Sequence, residues 1–280
     1  MKGKTVVATG ATSGIGEVAV LALARMGARI VLVARDERRA EATLNALEAG
    51  APGLGHCVHL ADLSSMAETR RVGLTIANTE PRIDVLINNA GAMFAERRVT
   101  PEGLERTFAL NDMAYFMTTV ALTERLATSP PARIVCTASA AHQGARLDFS
   151  DLQSARRFTG WRTYGRSKLA NILFTREVAR RLVGAGVTAN CFHPGFVATR
   201  FGEASGGWTS RLMPLARTLA TTPEQGADTI IYLASSPETV DMTGQYFIKR
   251  KVAEPSAAAR DDAAAKRLWE ASEALAAPWS

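Results

Sequence analysis

The sequence predicts a doubly wound α/β fold, a parallel sheet with helices on both faces. Three observations predict it. Short β-branched apolar runs alternate with longer stretches of helical periodicity along the 280 residues. The runs lack strict two-residue alternation, as expected of strands covered on both sides. Glycine stands at the first strand-to-helix turn and where the first helices stop.

The first strand is expected over Thr5–Thr9, followed by a glycine turn and a helix over Glu17–Met26 that Gly27 stops. The second strand, Arg29–Ala34, leads into a helix over Asp36–Ala49, opened by an acidic cap and closed at Gly50. Further strands are expected over His56–Leu60, Ile83–Asn88, Arg133–Ala138, Val187–Phe192 and Gln245–Ile248. A long helix over Thr163–Val183 ends at Gly184, and a shorter one lies near Asp261–Leu275. Right-handed crossovers between such strands give a seven-stranded parallel sheet of Rossmann type. Two connections are long, 140–163 and 196–222. Both leave carboxyl ends of strands, where this fold holds its ligands. No proline- or serine-rich linker divides the chain. Residues 1–280 are expected to form a single domain, with a substrate loop at about 196–222 and a tail at about 253–280.

Composition narrows the function classes. With 47% hydrophobic and 21% charged residues, the chain is neither disordered, collagen-like nor a disulfide-stapled mini-protein. Lys+Arg 33 against Asp+Glu 27 gives +6, without a long basic block. A nucleic-acid partner is not expected, since an anionic phosphorylated cofactor explains a local basic excess equally well. Cys57, Cys136 and Cys191 are odd in number and far apart, as free thiols of a reducing compartment are. The histidines at 56, 59, 142 and 193 show no metal-ligand spacing, so no catalytic metal is expected. No run reaches the roughly 18 apolar residues of a membrane helix. The first strand starts by Thr5, leaving no room for an N-terminal signal or anchor, so a cytoplasmic protein is expected.

The first strand ends in Thr9-Gly10-Ala11-Thr12-Ser13-Gly14-Ile15-Gly16. Glycines at 10, 14 and 16 let backbone approach a pyrophosphate, and the following helix N-terminus offers N–H donors and a positive dipole end. A tight turn with close helix packing accounts for the same glycines. The next strand favours the cofactor: an acid there would bond an NAD ribose, whereas an arginine accommodates the 2′-phosphate of NADP. Here Arg35 ends the strand and Arg38 and Arg39 follow, while Asp36 is read as the helix cap. NADP(H) is therefore expected, with Ser13 adding a hydroxyl to the same phosphate. A solvated helix start is the other reading of these arginines.

Over almost its whole length the sequence resembles the classical short-chain dehydrogenase/reductases, in particular their retinol-dehydrogenase-like group. The carriers are the glycine turn, Asp62-Leu63, Asn88-Asn89-Ala90-Gly91, Asn111, Ser139, Tyr164-Gly165-Arg166-Ser167-Lys168 and Pro194-Gly195-Phe196-Val197-x-Thr199, in that order. The tail also resembles that group through Lys249-Arg250-Lys251, Pro255-Ser256 and Arg267-Leu268-Trp269-Glu270. The resemblance implies a carbonyl/alcohol oxidoreductase with Asn111, Ser139, Tyr164 and Lys168 as its catalytic residues. Asn111 is implied to hold a relay water with the lysine. Cofactor contacts are implied for Thr12, Ile15, Asp62, Leu63, Asn89, Ala90, Gly91, Tyr164, Lys168, Pro194, Gly195, Val197 and Thr199, with Asp62 at the adenine, Lys168 within reach of a ribose and Thr199 at the nicotinamide carboxamide.

The chemistry of these residues is consistent with that role. Carbonyl reduction needs an acid that protonates the nascent alkoxide, and oxidation needs the reverse. A tyrosine with its reference pKa near ~10 needs a nearby positive charge to serve. Tyr164 and Lys168 stand at i and i+4, on one helix face. Ser139, at a strand end, is placed to hold the substrate oxygen, with Thr137 as the fallback hydroxyl because Ala138 stands where the family often has a serine. The stretch between Ser139 and Tyr164 is longer than in compact family members, which suits the retinol-dehydrogenase-like group. His142 is read as a solvated loop residue or a substrate contact, and His193 as shaping the Pro194-Gly195 turn. The substrate implied is a lipophilic or secondary-metabolite-like carbonyl compound, with Phe196, Phe201, Trp208, Leu212 and Met213 as pocket candidates. A lyase, epimerase or cyclase on the same fold, or a cofactor-sensing binding protein, remains the alternative. The long helix is read as a homodimer surface by resemblance, unless the tail covers it.

Overall fold

The computed structural model describes residues 1–195 and 221–279. In chain order its strands and helices are β1 (Thr5–Thr9), α1 (Gly14–Arg25), β2 (Arg29–Ala34), α2 (Glu37–Gly50), β3 (Cys57–Leu60), α3 (Met66–Thr79) and β4 (Val85–Asn88). A helical turn Arg106–Phe108 and a π-turn Ala109–Met113 run into α4 (Ala114–Ala127). Then follow β5 (Ala132–Thr137), α5 (Gly160–Arg181), β6 (Val187–His193), α6 (Pro223–Ser235), β7 (Tyr246–Ile248), β8 (Lys251–Ala253) and α7 (Asp262–Ala276).

The strands pair in the order β3-β2-β1-β4-β5-β6-β7-β8. β1 carries alternate side chains into two cores: Val7 joins Val31, Leu86 and Ile134 on one face, while Val6 and Ala8 join Ile30, Leu32 and Ile87 on the other. All five residues of β1 are buried, which is why the run reads as continuously apolar. Asp36 caps α2 as expected, its carboxylate accepting from the Arg39 N–H at 3.0 Å.

Among the described residues the sheet has eight strands, not the seven expected from sequence. Seven are mutually parallel, and β8 pairs antiparallel with β7, with Ile248 opposite Lys251. Lys249 and Arg250 form the two-residue turn between them, both at positive φ (50° and 63°). That is the backbone of a tight hairpin turn usually signalled by Asn-Gly or Asp-Gly. Two basic residues carry no such signal, so the hairpin was invisible in the sequence.

The tail is bound to the body of the fold. α7 lies along α5, and its Trp269 stacks on Phe174 (ring centroids 6.0 Å apart) and meets Phe116 of α4 edge-on at 4.9 Å. The Arg181 guanidinium lies 4.3 Å above the same indole, and Arg176 pairs with Asp262 at 2.6 Å. His142 is a second tie, and neither the solvated residue nor the substrate contact expected of it. It is fully buried. Its Nδ1 lies 2.7 Å from the Ser139 carbonyl, and its Nε2 accepts from the Ser256 N–H at 3.2 Å. Those partners fix the neutral Nδ1–H tautomer, and burial pushes its pKa below the usual histidine value. Among the described residues, no helix is long and apolar enough to cross a membrane.

Removing the Trp269 indole strips the contacts with Phe174, Phe116 and Arg181 at once. Trp269→Ala is expected to lower the unfolding free energy by about 3 kcal/mol. The measurement is a fall in the urea midpoint at an unchanged slope. A midpoint equal to wild type would show that α7 adds nothing to the core.

Candidate active site

The ends of β1, β4 and β5 are clamped together by short polar side chains. The Thr9 hydroxyl accepts from the Asn89 and Ala90 N–H groups at 3.0 and 3.2 Å and reaches the Ile87 carbonyl at 3.2 Å. Asn89 donates through Nδ2 to the Gly10 carbonyl at 2.7 Å, and its Oδ1 accepts from the Thr137 hydroxyl at 2.9 Å. The glycine turn is closed against this clamp. Gly10 has φ +63°, and a Cβ there would lie 2.6 Å from Ala90 Cα; one at Gly16 would lie 2.4 Å from the Gly10 carbonyl oxygen. No side chain fits either position. The tight-turn reading of the glycines is therefore correct in itself, and the turn also aims the N-terminus of α1 at the carboxyl edge of the sheet. Ser13 is the N-cap of α1 and its exposed side chain makes no cap bond. Thr12 and Ile15 are half-buried beside it.

At the end of β2, Arg35, Arg38 and Arg39 are exposed. Arg35 lies 3.7 Å from Asp62. Burial raises the Asp62 carboxyl, but hydrogen bonds from Ser64 and the charge of Arg35 outweigh it and hold its pKa below the ordinary value. Leu63, by contrast, puts its side chain into the core. It can offer a ligand only backbone.

The four predicted catalytic residues converge beyond β5. Ser139 opens a 3-10 turn, its hydroxyl accepting from the Ala141 N–H at 3.2 Å. Gly165 admits that turn against α5, since a Cβ there would lie 2.7 Å from the Ala141 carbonyl oxygen. Ser139 and Tyr164 are thereby brought into hydrogen-bond contact. Burial pushes the Tyr164 phenol up, and the bond with Ser139 opposes that rise. The Thr137 hydroxyl is committed to Asn89, which leaves Ser139 as the hydroxyl beside the tyrosine. Lys168 is buried, donates to the Thr137 carbonyl at 2.9 Å and lies 5.7 Å from the Tyr164 ring centroid. Desolvation brings its pKa down to about 7. Asn111, in the π-turn, uses its whole amide. Its Oδ1 accepts from the Ala92 N–H at 2.9 Å, and its Nδ2 donates to the Ala92 carbonyl at 2.9 Å and to Ser167 Oγ at 3.0 Å. Gly91 lies between them: a Cβ there would be 3.2 Å from Asn111 Oδ1 and 3.5 Å from Lys168 Nζ.

Pro194 and Gly195 follow β6, and His193 Nδ1 accepts from the Ala140 N–H at 3.2 Å, joining that turn to the Ser139 loop. Val197, Thr199 and the loop aromatics Phe196, Phe201 and Trp208 lie outside the described residues. Sequence reading missed three features. Arg166 is buried and donates to the Asp148 and Asp151 carbonyls and to Ser154 Oγ, holding the long connection before α5. Its place inside the Tyr-x-x-x-Lys spacing hid a structural role. Asp112 is an acid alone in an apolar run, which was the available signal, and it is buried beside the site. Cys57, His59 and Glu80 come together across β3 and the end of α3 although no spacing announced it. The guanidinium of Arg29 bonds both Glu80 and Cys57 there and supplies the cation.

Comparison with known proteins agrees with this geometry. The family model for short chain dehydrogenases matches residues 4–209. Human retinol dehydrogenase 14 is 39% identical, aligned over 98% of this chain and 87% of that protein. A protein of Streptomyces sp. (strain C5) that carries the name of a daunorubicin C-13 ketoreductase is 40% identical over 98% of this chain and 93% of its own. Among solved structures, the Pseudomonas aeruginosa RhlG/NADP complex superposes with a TM-score of 0.69 at 29% identity, covering 88% of this chain and 94% of RhlG. The strand-end clamp, the glycine turn and the match over residues 4–209 have one reading: the chain belongs to the short-chain dehydrogenase/reductase family of oxidoreductases, in its retinol-dehydrogenase-like group.

Proposed function

We propose that the protein is an NADP(H)-dependent oxidoreductase that interconverts a carbonyl and an alcohol, with Tyr164 as general acid/base. The observation that carries this reading is the convergence of Ser139, Tyr164 and Lys168 beside the glycine turn at one edge of the sheet. The donor set suits a phosphorylated dinucleotide. The α1 N-terminus offers backbone amides and a positive dipole end for a pyrophosphate, and the guanidinium of Arg35 stands exposed for a 2′-phosphate. RhlG, a relative, is known as an NADP complex. Bound there, the nicotinamide supplies or accepts the hydride.

The remaining steps belong to the chain. Ser139 holds the substrate oxygen beside the phenol. Tyr164 gives its O–H proton to the nascent alkoxide during reduction and takes it back during oxidation. Burial alone would make this phenol a poor acid, so the ammonium of Lys168 stabilises the phenolate as it forms. Both donors of the Asn111 amide are used on Ala92 and Ser167, and a relay water would be met by the remaining acceptor site of Oδ1 or by the main chain of the π-turn, whose interrupted hydrogen-bond ladder suits that task. The names of the retinol dehydrogenase and ketoreductase relatives support a lipophilic carbonyl substrate. We read residues 1–280 as a single dehydrogenase domain acting in a reducing aqueous compartment, which suits its three free cysteines.

The chain's own contacts speak for a monomer over the helix-bundle homodimer. Leu169, Ile172, Leu173 and Val178 of α5 are buried in the core, and α7 covers that helix through Trp269. Light scattering at micromolar concentration is expected to give a single species near 29.9 kDa; twice that mass would restore the dimer.

Two substitutions test the chemistry. Tyr164→Phe keeps the ring and removes the proton, so turnover of NADPH with a carbonyl substrate should fall by about 10²–10⁴-fold while cofactor affinity holds. Near wild-type turnover would remove the tyrosine mechanism and favour a non-redox use of the fold. Arg35→Asp should weaken NADPH binding by about 1.5–3 kcal/mol, the scale of a hydrogen bond to a charged group, as read by calorimetry. Equal kcat/KM for NADH and NADPH in the wild type would refute the role of the arginine.

A further inference from the structure

The buried lysine of the site has a buried acid near it that the family chemistry leaves unused. Asp112 follows Asn111 in the π-turn Ala109–Met113, where four of the five residues, Asp112 among them, are buried. It is 2% exposed, as is Lys168. Among the described residues neither makes an ion pair within 4 Å, and Asp112 Oδ2 has no hydrogen-bond partner. Two isolated charges of opposite sign in one dry interior are each costly, and each is the other's available compensation. The π-turn that carries Asp112 packs against α5, the helix of Lys168. Asn111 bonds Ser167, the neighbour of Lys168, at 3.0 Å, and Asn111 and Lys168 flank the same point at Gly91.

We propose that Asp112 is a positioning residue, the buried counter-charge that keeps Lys168 cationic and thereby sustains the positive field at Tyr164. This rests on the reading of Tyr164 and Lys168 given above. The other groups facing Lys168 cannot do the task. On α4, Tyr115 presents a ring face 5.8 Å away. On β5, the Thr137 carbonyl gives a dipole, and the Cys136 thiol is pushed up to about 11 by burial. On α5 itself, Tyr164 is neutral until it reacts. Asp112 is the carboxylate in the group. Burial raises its pKa to about 7, the charge of Lys168 opposes that rise, and Lys168 feels the reciprocal effect. The anion of Asp112 and the cation of Lys168 each favour the other's charged form against desolvation. The sign follows: removing the Asp112 charge makes Lys168 deprotonate at lower pH.

The test is an NMR titration of the full-length protein labelled with [ε-¹³C]lysine, in which Lys168 is the buried lysine among surface ones. In Asp112→Asn the Lys168 midpoint is expected to fall by about one pH unit or more, the scale of a coupled pair. A folded Asp112→Asn protein with an unmoved midpoint overturns the proposal, because a merely structural role would alter stability and leave the titration in place. Should that variant fail to fold, the same coupling is read from the other side. In Lys168→Met with [γ-¹³C]aspartate, the Asp112 midpoint should rise by a like amount, and an unchanged midpoint overturns the proposal equally. The outcome is separable from the mechanism. If Tyr164→Phe abolishes turnover and Asp112→Asn leaves the lysine unmoved, only the counter-charge falls. If Tyr164→Phe retains turnover, the tyrosine reading falls whatever the lysine does.

Discussion

The contact between Gly16 and the main chain of Gly10, bridged to β4 and β5 by Asn89, is the constraint on which the rest of the site depends. It leaves no room for a Cβ at either glycine, so α1 starts hard against the sheet edge. Asn89 then carries the same closure across to Thr137. Thr137 in turn anchors Lys168 through its carbonyl, and Asn171 donates to that carbonyl as well, at 3.1 Å. The glycine turn and the buried lysine are thus parts of one hydrogen-bonded frame.

That frame holds its charges at an electrostatic cost. Lys168 and Tyr164 are both buried, and burial works against the charged form of each. The proposed tyrosine step needs the lysine cationic so that the phenolate can form. Desolvation works against that form, and the proposed answer is the buried Asp112 of the π-turn that packs on α5. An ordinary helix would keep its hydrogen-bond ladder intact here; the π-turn gives up some regularity where Asn111 bonds α5 and Asp112 is buried beside it in sequence.

The tail shapes the molecule from the other side. α7 closes over α5 through Trp269, and Ser256 reaches the buried His142 behind Ser139. The loop bearing Ser139 is therefore braced from behind by the last part of the chain. Arg166 braces the preceding connection in the same way, with its guanidinium spent on loop carbonyls. Both braces are polar groups buried with their partners, and both explain how a long connection can hold a hydroxyl in place.

The sequence by itself determined the strand and helix alternation, the switch-point glycine turn and the identities of Ser139, Tyr164 and Lys168. The alternation and the turn rest on local physics: apolar runs of strand length and glycines where backbone must turn tightly. The three side chains were legible through the family resemblance, with which the i,i+4 spacing of Tyr164 and Lys168 agrees. Strand ends shifted by one or two residues, as β3 and β4 show, because pairing partners fix them. What lay beyond the sequence depended on partners distant along the chain. The hairpin that adds β8 needed two basic residues at positive φ, which no local preference announces. The role of His142 was decided by Ser256, the role of the tail by Trp269 against Phe174, and the importance of Asp112 by a lysine on another helix. Spacing records neighbours along the chain; burial and charge compensation are set by neighbours in space, and only the tertiary structure decides those.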